Sequence, residues 1–128
     1  MGLGGATVRE IEQHNIRGAT ILAMRRALAQ VQPVNLALVD GLPLKELGIP
    51  HQAIVKGDGC CLSIAAASIV AKVARDRAMQ QLSRRYGGYG WERNVGYGTA
   101  QHYQALTRLG QTRHHRGSFL GRWQNTKV

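Results

Sequence analysis

Lys56-Gly57-Asp58-Gly59-Cys60-Cys61, followed by Leu62-Ser63-Ile64-Ala65-Ala66-Ala67-Ser68-Ile69-Val70-Ala71-Lys72-Val73-Ala74-Arg75-Asp76, is the stretch whose reading decides the fold. From about Leu62 to Tyr86 the alanine-rich sequence is interrupted by neither Gly nor Pro, so it predicts one long helix. Ile64, Ala67, Ala71 and Ala74 would share a small-residue face on that helix, suited to close packing on a sheet. Just upstream, Gln52-Ala53-Ile54-Val55-Lys56 reads as a short strand closed by Gly57-Asp58-Gly59.

Further upstream, Val34-Asn35-Leu36-Ala37-Leu38-Val39 is a second strand-like run, bounded by Pro33 and by Asp40-Gly41, as expected for a buried strand. Before it, Thr7 and Glu10 have the spacing of a capping box. Ile11, Ile16, Ile21, Leu22 and Leu28 then recur at roughly helical intervals. One or two helices are expected from about Thr7 to Val31, bent near Gly18. On the other side of the long helix, the Gly- and Tyr-rich stretch from Gly87 to Gly98 reads as an ordered loop, and Thr99 caps a helix to about Leu109. The tail is basic, with Phe119 and Trp123 as apolar anchors and His114-His115 as basic surface; no internal repeat is present.

With 128 residues and 44% hydrophobic content, the chain is expected to form a single domain over residues 1–128. Seventeen Lys and Arg against seven Asp and Glu give a formal charge of +10, which favours a polyanionic partner and makes nucleic acid the first to consider. Ribosomal, histone-like and membrane-surface proteins share such a charge, so it does not decide among them. No apolar run approaches the roughly 20 residues that cross a bilayer, so no membrane is expected. The adjacent Cys60 and Cys61 form neither an ordinary bridge nor a zinc quartet, and a reducing cytoplasm is the expected compartment. The five histidines show no paired metal spacing, so zinc is not indicated.

Asp40 and Asp58 each follow a strand-like run. If the strands are parallel, both carboxylates lie along one edge of the sheet, where open α/β sheets place their ligands; in a hairpin they would lie at opposite ends. Two converging carboxylates in a basic chain suit a hard divalent cation facing phosphate. The plainer alternative is that each Asp opens a turn before its glycine, Gly41 or Gly59. Asp76 has Lys72 four residues before it and reads as an ion-pair partner rather than a third ligand.

The wording of these segments resembles ribonuclease HII: Val39-Asp40-Gly41, then Lys56-Gly57-Asp58, then Ser63 through Asp76, in matching order and spacing. Gly96-Tyr97-Gly98-Thr99-Ala100 followed by His102, the ending His115-Arg116-Gly117-Ser118-Phe119, and Asn15-Ile16 with Ala19-Thr20 extend the resemblance over nearly the whole chain. It implies a ribonuclease H-like α/β fold with two parallel strands, a long alanine-rich helix and C-terminal helices. It also implies hydrolysis of RNA in RNA–DNA hybrids and on the 5′ side of ribonucleotides embedded in duplex DNA, with Mg²⁺ or Mn²⁺ as cofactor and no obligate protein partner.

By the same resemblance, Asp40 and Asp58 match two of the family's four metal-binding carboxylates. Tyr97 matches the residue whose ring packs on the sugar of the deoxynucleotide after the junction; packing of that ring onto the core is the structural alternative. Lys56 is a candidate phosphate contact, or else a solvated lysine at a strand end. The family's Asp-Glu-x-Gly-Arg-Gly strand has no counterpart, since the only closely spaced upstream acids, Glu10 and Glu12, lie in a helical context. Where the family has His-Lys, this chain has Asn94-Val95, with Arg93 as a candidate substitute cation. The chain is therefore expected to begin after the central strands and to expose apolar surface. Two other functions remain in view: a derivative that binds duplexes without cutting, and a basic ribonucleoprotein component, which accounts for the charge but not for the central motif.

Overall fold

The computed structural model describes residues 1–94, 97 and 99–115. The chain divides into two compact units, Met1–Ala65 with Arg113–Val128, and Ala66–Thr112.

In the first unit, helix α1 (Val8–Ala29) starts at the expected capping box, with Thr7 Oγ1 accepting the Glu10 N–H and Glu10 Oε2 accepting the Thr7 N–H at 2.8 Å. Arg26, further along the same helix, bridges back to Glu10 at 2.6 Å and donates to the Gly5 carbonyl. The N-terminal segment lies so close to α1 that a Cβ at Gly4 would collide with the Ala23 carbonyl oxygen. The helix breaks at Asn15 (φ 59°, ψ 176°), three residues before the expected bend at Gly18. The Asn15 side chain explains the position: its Oδ1 accepts the Gly18 N–H at 3.0 Å and so caps the second half of the helix. That cap holds a backbone conformation rare for any residue but Gly. Ala19 and Ile21 are buried, whereas Ile16, beside the break, is 53% exposed.

The Arg26 guanidinium, by hydrogen bonding first and charge second, together with the Thr7 amide, holds the Glu10 carboxyl down at about 2. A carboxylate depressed in the folded state adds stability that is complete above its unfolded pKa of 4.5 and is lost as pH falls towards 2. Far-UV circular dichroism should therefore show the unaltered chain losing helix over that window more steeply than Glu10→Gln. Coincident acid profiles would contradict this account.

Strands β1 (Ala37–Asp40) and β2 (His51–Ile54) pair in parallel, with Ala37 opposite His51 and Asp40 opposite Ile54. Their connection holds a 3-10 turn at Lys45–Leu47. His51 pins it, accepting the Leu44 N–H through Nε2 at 3.0 Å, and Arg17 of α1 reaches Glu46 at 2.8 Å. Val39 and Leu47 are buried, but Leu36, Leu38 and Val55 are exposed by 55%, 40% and 64%. Among the described residues the sheet has only these two four-residue strands, a size that seldom stands alone.

β2 ends at Ile54, two residues earlier than the sequence suggested, because Lys56 adopts a left-handed conformation (φ 54°, ψ 37°) and turns the chain into a single helical turn, α2 (Gly57–Cys60). The long helix α3 (Leu62–Arg85) matches its expected span to within one residue. Its small-residue face does not pack as expected: of Ile64, Ala67, Ala71 and Ala74 only Ile64 is buried, and Ala67 and Ala71 are exposed. A helix of this length extends roughly 36 Å, while a four-residue strand extends roughly 13 Å, so a sheet this small cannot cover it.

In the second unit, the expected loop contains a helical turn, α4 (Trp91–Asn94), and α5 (Ala100–Leu109) begins where Thr99 Oγ1 accepts the His102 N–H. Its core is aromatic: Trp91 is 1% exposed and stacks on Tyr89 at 5.1 Å, with Tyr86 edge-on at 6.2 Å. Ala105, Leu106 and His102 are buried too, and burial lowers the His102 pKa, so this histidine is a neutral core member. Tyr89 donates its hydroxyl hydrogen to the Gly110 carbonyl, and Asn94 Nδ2 donates to the Tyr89 carbonyl at 2.9 Å. His115, which belongs to the first unit, is buried, which corrects the reading of His114-His115 as plain basic surface. Phe119 and Trp123 lie outside the described residues. No helix among the described residues is long and apolar enough to cross a membrane.

Candidate functional site

The parallel pairing of β1 and β2 settles one alternative left open by the sequence: both chain segments leave the sheet at the same end, so Asp40 and the turn bearing Asp58 lie there together. Asp40 is the last residue of β1, and its Oδ1 accepts the Gly57 N–H at 2.9 Å. The Asp40 carboxylate is thus fastened to the residue directly before Asp58. Gly41 continues the ladder, its N–H reaching the Ile54 carbonyl at 2.9 Å.

Gly57 is buried, and a Cβ there would stand 2.6 Å from Ile64 Cδ1 and 3.4 Å from Ile54 Cβ. A side chain here would require the Ile64 terminal methyl to move aside, so glycine lets the turn approach the start of α3 without that shift. The sequence therefore assigns three tasks to three adjacent positions. Lys56 takes the left-handed turn, Gly57 makes the close approach and donates to Asp40, and Asp58 presents its carboxylate to solvent in the first turn of α2.

Two solvent-facing carboxylates at a sheet end are hard oxygen donors of the kind that suits Mg²⁺ or Mn²⁺. The donor chemistry fits, but the number does not fill a six-coordinate shell from protein atoms. Among the described residues no group of three or more His, Cys, Asp or Glu is placed to hold a metal ion. Cys60, exposed beside Asp58, directs its thiol to the Lys56 carbonyl at 3.5 Å and is a soft atom unsuited to these cations. Asp76 pairs with Lys72 at 2.8 Å, as its spacing indicated.

Tyr97 belongs to the second unit and is 62% exposed, so it does not serve as a core residue there. Its N–H reaches the Asn94 carbonyl at 2.9 Å, and the Arg75 guanidinium lies over its ring, 5.2 Å from the centroid. Asn94, where the family pattern has a histidine, is buried and holds the loop through Tyr89; Val95 lies outside the described residues, and Arg93 is exposed on α4. Sequence reasoning missed the Arg75–Tyr97 contact and the Asp40–Gly57 bond. The first joins residues 22 positions apart and has no local signal in the sequence. Nor has the second, which joins residues 17 positions apart.

Comparison with known proteins agrees with this arrangement. The family model described as Ribonuclease HII matches residues 4–126. The ribonuclease HII of Rhodospirillum rubrum is 63% identical over 120 residues, covering 93% of this chain and 55% of that protein. Those of a Synechococcus strain and of Gluconobacter oxydans are 60% and 54% identical over 119 and 120 residues, again covering 93% of this chain but 54% and 58% of theirs. The chain spans about half the length of the curated relatives it matches. Its parallel strands and helices are consistent with a ribonuclease H-like α/β fold. A match over nearly the whole chain, with more than half of the aligned residues identical, means that this chain belongs to the ribonuclease HII family.

Proposed function

We propose that this chain is part of a divalent-metal-dependent endoribonuclease that hydrolyses the RNA strand of RNA–DNA hybrids and nicks duplex DNA on the 5′ side of an embedded ribonucleotide. The observation that carries this reading is the Asp40 carboxylate fixed to the Gly57 amide, directly before Asp58, within a chain of family-wide match and +10 charge. Asp40 and Asp58 would supply part of the ligand set for a pair of Mg²⁺ or Mn²⁺ ions. When bound there, such ions supply acidification of the attacking water and charge neutralisation at the departing 3′-oxygen. Lys56, exposed at the turn beside Asp58, offers its ammonium to an adjacent phosphate. The exposed ring of Tyr97 takes the sugar of the deoxynucleotide after the junction. The net charge draws the duplex in and makes its binding sensitive to salt. The two free cysteines suit a reducing cytoplasm, and the family match suits a part in ribonucleotide excision during DNA replication and repair.

A second reading has its own support: a polypeptide that binds such duplexes without cutting them. It is favoured by the site itself, where among the described residues no third His, Cys, Asp or Glu joins Asp40 and Asp58 to hold a metal ion.

The test is nicking of a duplex bearing one ribonucleotide, with Mg²⁺ or Mn²⁺, against an all-DNA duplex of the same sequence. Cleavage confined to the ribonucleotide duplex and abolished by chelation is the expected result. Tight, salt-sensitive binding with no product from a folded chain would replace the first reading with the second.

A further inference from the structure

An exposed tyrosine binds a sugar well only if its ring is held still, because ordering a free side chain on binding costs affinity. Tyr97 is 62% exposed, so burial does not fix it. The group found over its ring is Arg75, on α3, with the guanidinium carbon 5.2 Å from the ring centroid. Arg75 is one helical turn from Lys72 and adjacent to Asp76, which are joined at 2.8 Å. The Lys72 ammonium is held protonated above its ordinary range, chiefly by its hydrogen bond to Asp76. The Arg75–Tyr97 contact thus lies within the second unit, one helical turn from the Lys72–Asp76 pair.

We infer that Arg75 is the positioning residue of Tyr97, its planar guanidinium lying over one face of the ring and leaving the rest of the ring free for the sugar of a bound nucleotide. This rests on the reading of Tyr97 as a nucleic-acid contact. The flat, delocalised cation is what the task requires, since it stacks on an aromatic face where a lysine ammonium makes only a point contact.

The experiment has two readouts, one of which needs no nucleic acid. In the isotope-labelled free chain, the Tyr97 ring signals are identified by their loss in Tyr97→Phe. Arg75→Lys and Arg75→Gln, both compatible with an exposed helix position, should move those signals while leaving the thermal midpoint and the other tyrosine signals in place. In fluorescence anisotropy with a one-ribonucleotide duplex at low salt, Arg75→Lys should weaken binding about 3-fold or more although the charge is kept, and by less than about 1.5-fold in a Tyr97→Ala background. Unmoved ring signals would overturn the inference. So would a loss on Arg75→Lys that persists in full without Tyr97, since Arg75 would then be acting on the phosphate by itself. If the unaltered chain fails to bind the duplex, the role given to Tyr97 falls, and the ring signals alone decide whether Arg75 holds the ring.

Discussion

Asp40→Asn should slow metal-dependent nicking by about 100-fold or more while leaving the urea midpoint almost unchanged. The substitution separates two properties of one side chain. The oxygen that accepts the Gly57 N–H at 2.9 Å is available in an asparagine as well, so the link between the end of β1 and the turn at Gly57 survives. The negative charge, which alone makes the group a strong ligand for a hard cation, does not. Asp40→Ala removes both, and should in addition destabilise the fold by about 1–2 kcal/mol, because the partly buried Gly57 amide loses its acceptor. Binding of Mn²⁺, followed by electron paramagnetic resonance, supplies a readout independent of turnover: Asp40→Asn should weaken it about tenfold or more. An Asp40→Asn chain that cuts as fast, or binds Mn²⁺ as tightly, as the unaltered one would remove Asp40 from the metal site.

Trp91→Ala should have the largest effect on stability, about 3–5 kcal/mol in urea unfolding followed by circular dichroism. Trp91 is the largest fully buried side chain among the described residues, stacked on Tyr89, with Tyr86 and His102 around it. Against a typical folding stability of about 5–15 kcal/mol, a loss of that size removes much of what holds the second unit together. The consequence should extend to function, because Tyr97 is tied by its backbone to Asn94, and Asn94 to Tyr89. Duplex binding by Trp91→Ala should therefore weaken even under conditions where helix content is retained. Trp91→Phe, which keeps a flat ring in the same cavity, should retain most of the stability. A Trp91→Ala chain with an unchanged urea midpoint would show that this aromatic cluster is not the core of its unit.

The sequence by itself determined the elements that local chemistry controls. The Thr7–Glu10 box, the Thr99 cap and the unbroken run into α3 each place a helix boundary through groups within a few residues of one another, and each stands within a residue or so of where it was read. The Lys72–Asp76 pair is local in the same sense. Where the sequence misled, a side chain had an unexpected partner or lacked the expected one. The first helix breaks at Asn15, because its carboxamide caps the following turn, and not at the more flexible Gly18. The alanine face of α3 stays largely open, with Ala67 and Ala71 exposed, because small residues at helical spacing do not by themselves supply a packing partner. His115 is buried although its neighbourhood in sequence is basic and polar.

The candidate site divides along the same line. That Asp40 and Asp58 each follow a strand was legible, but whether they meet depended on the direction of pairing, which two short apolar runs leave open. The family resemblance implied parallel strands, and the structure has them; that Gly57 donates to Asp40 and that Arg75 lies over Tyr97 were settled by tertiary packing alone. Those contacts join residues 17 and 22 positions apart, and such pairings are selected by packing and chain topology rather than by the preferences of neighbouring residues.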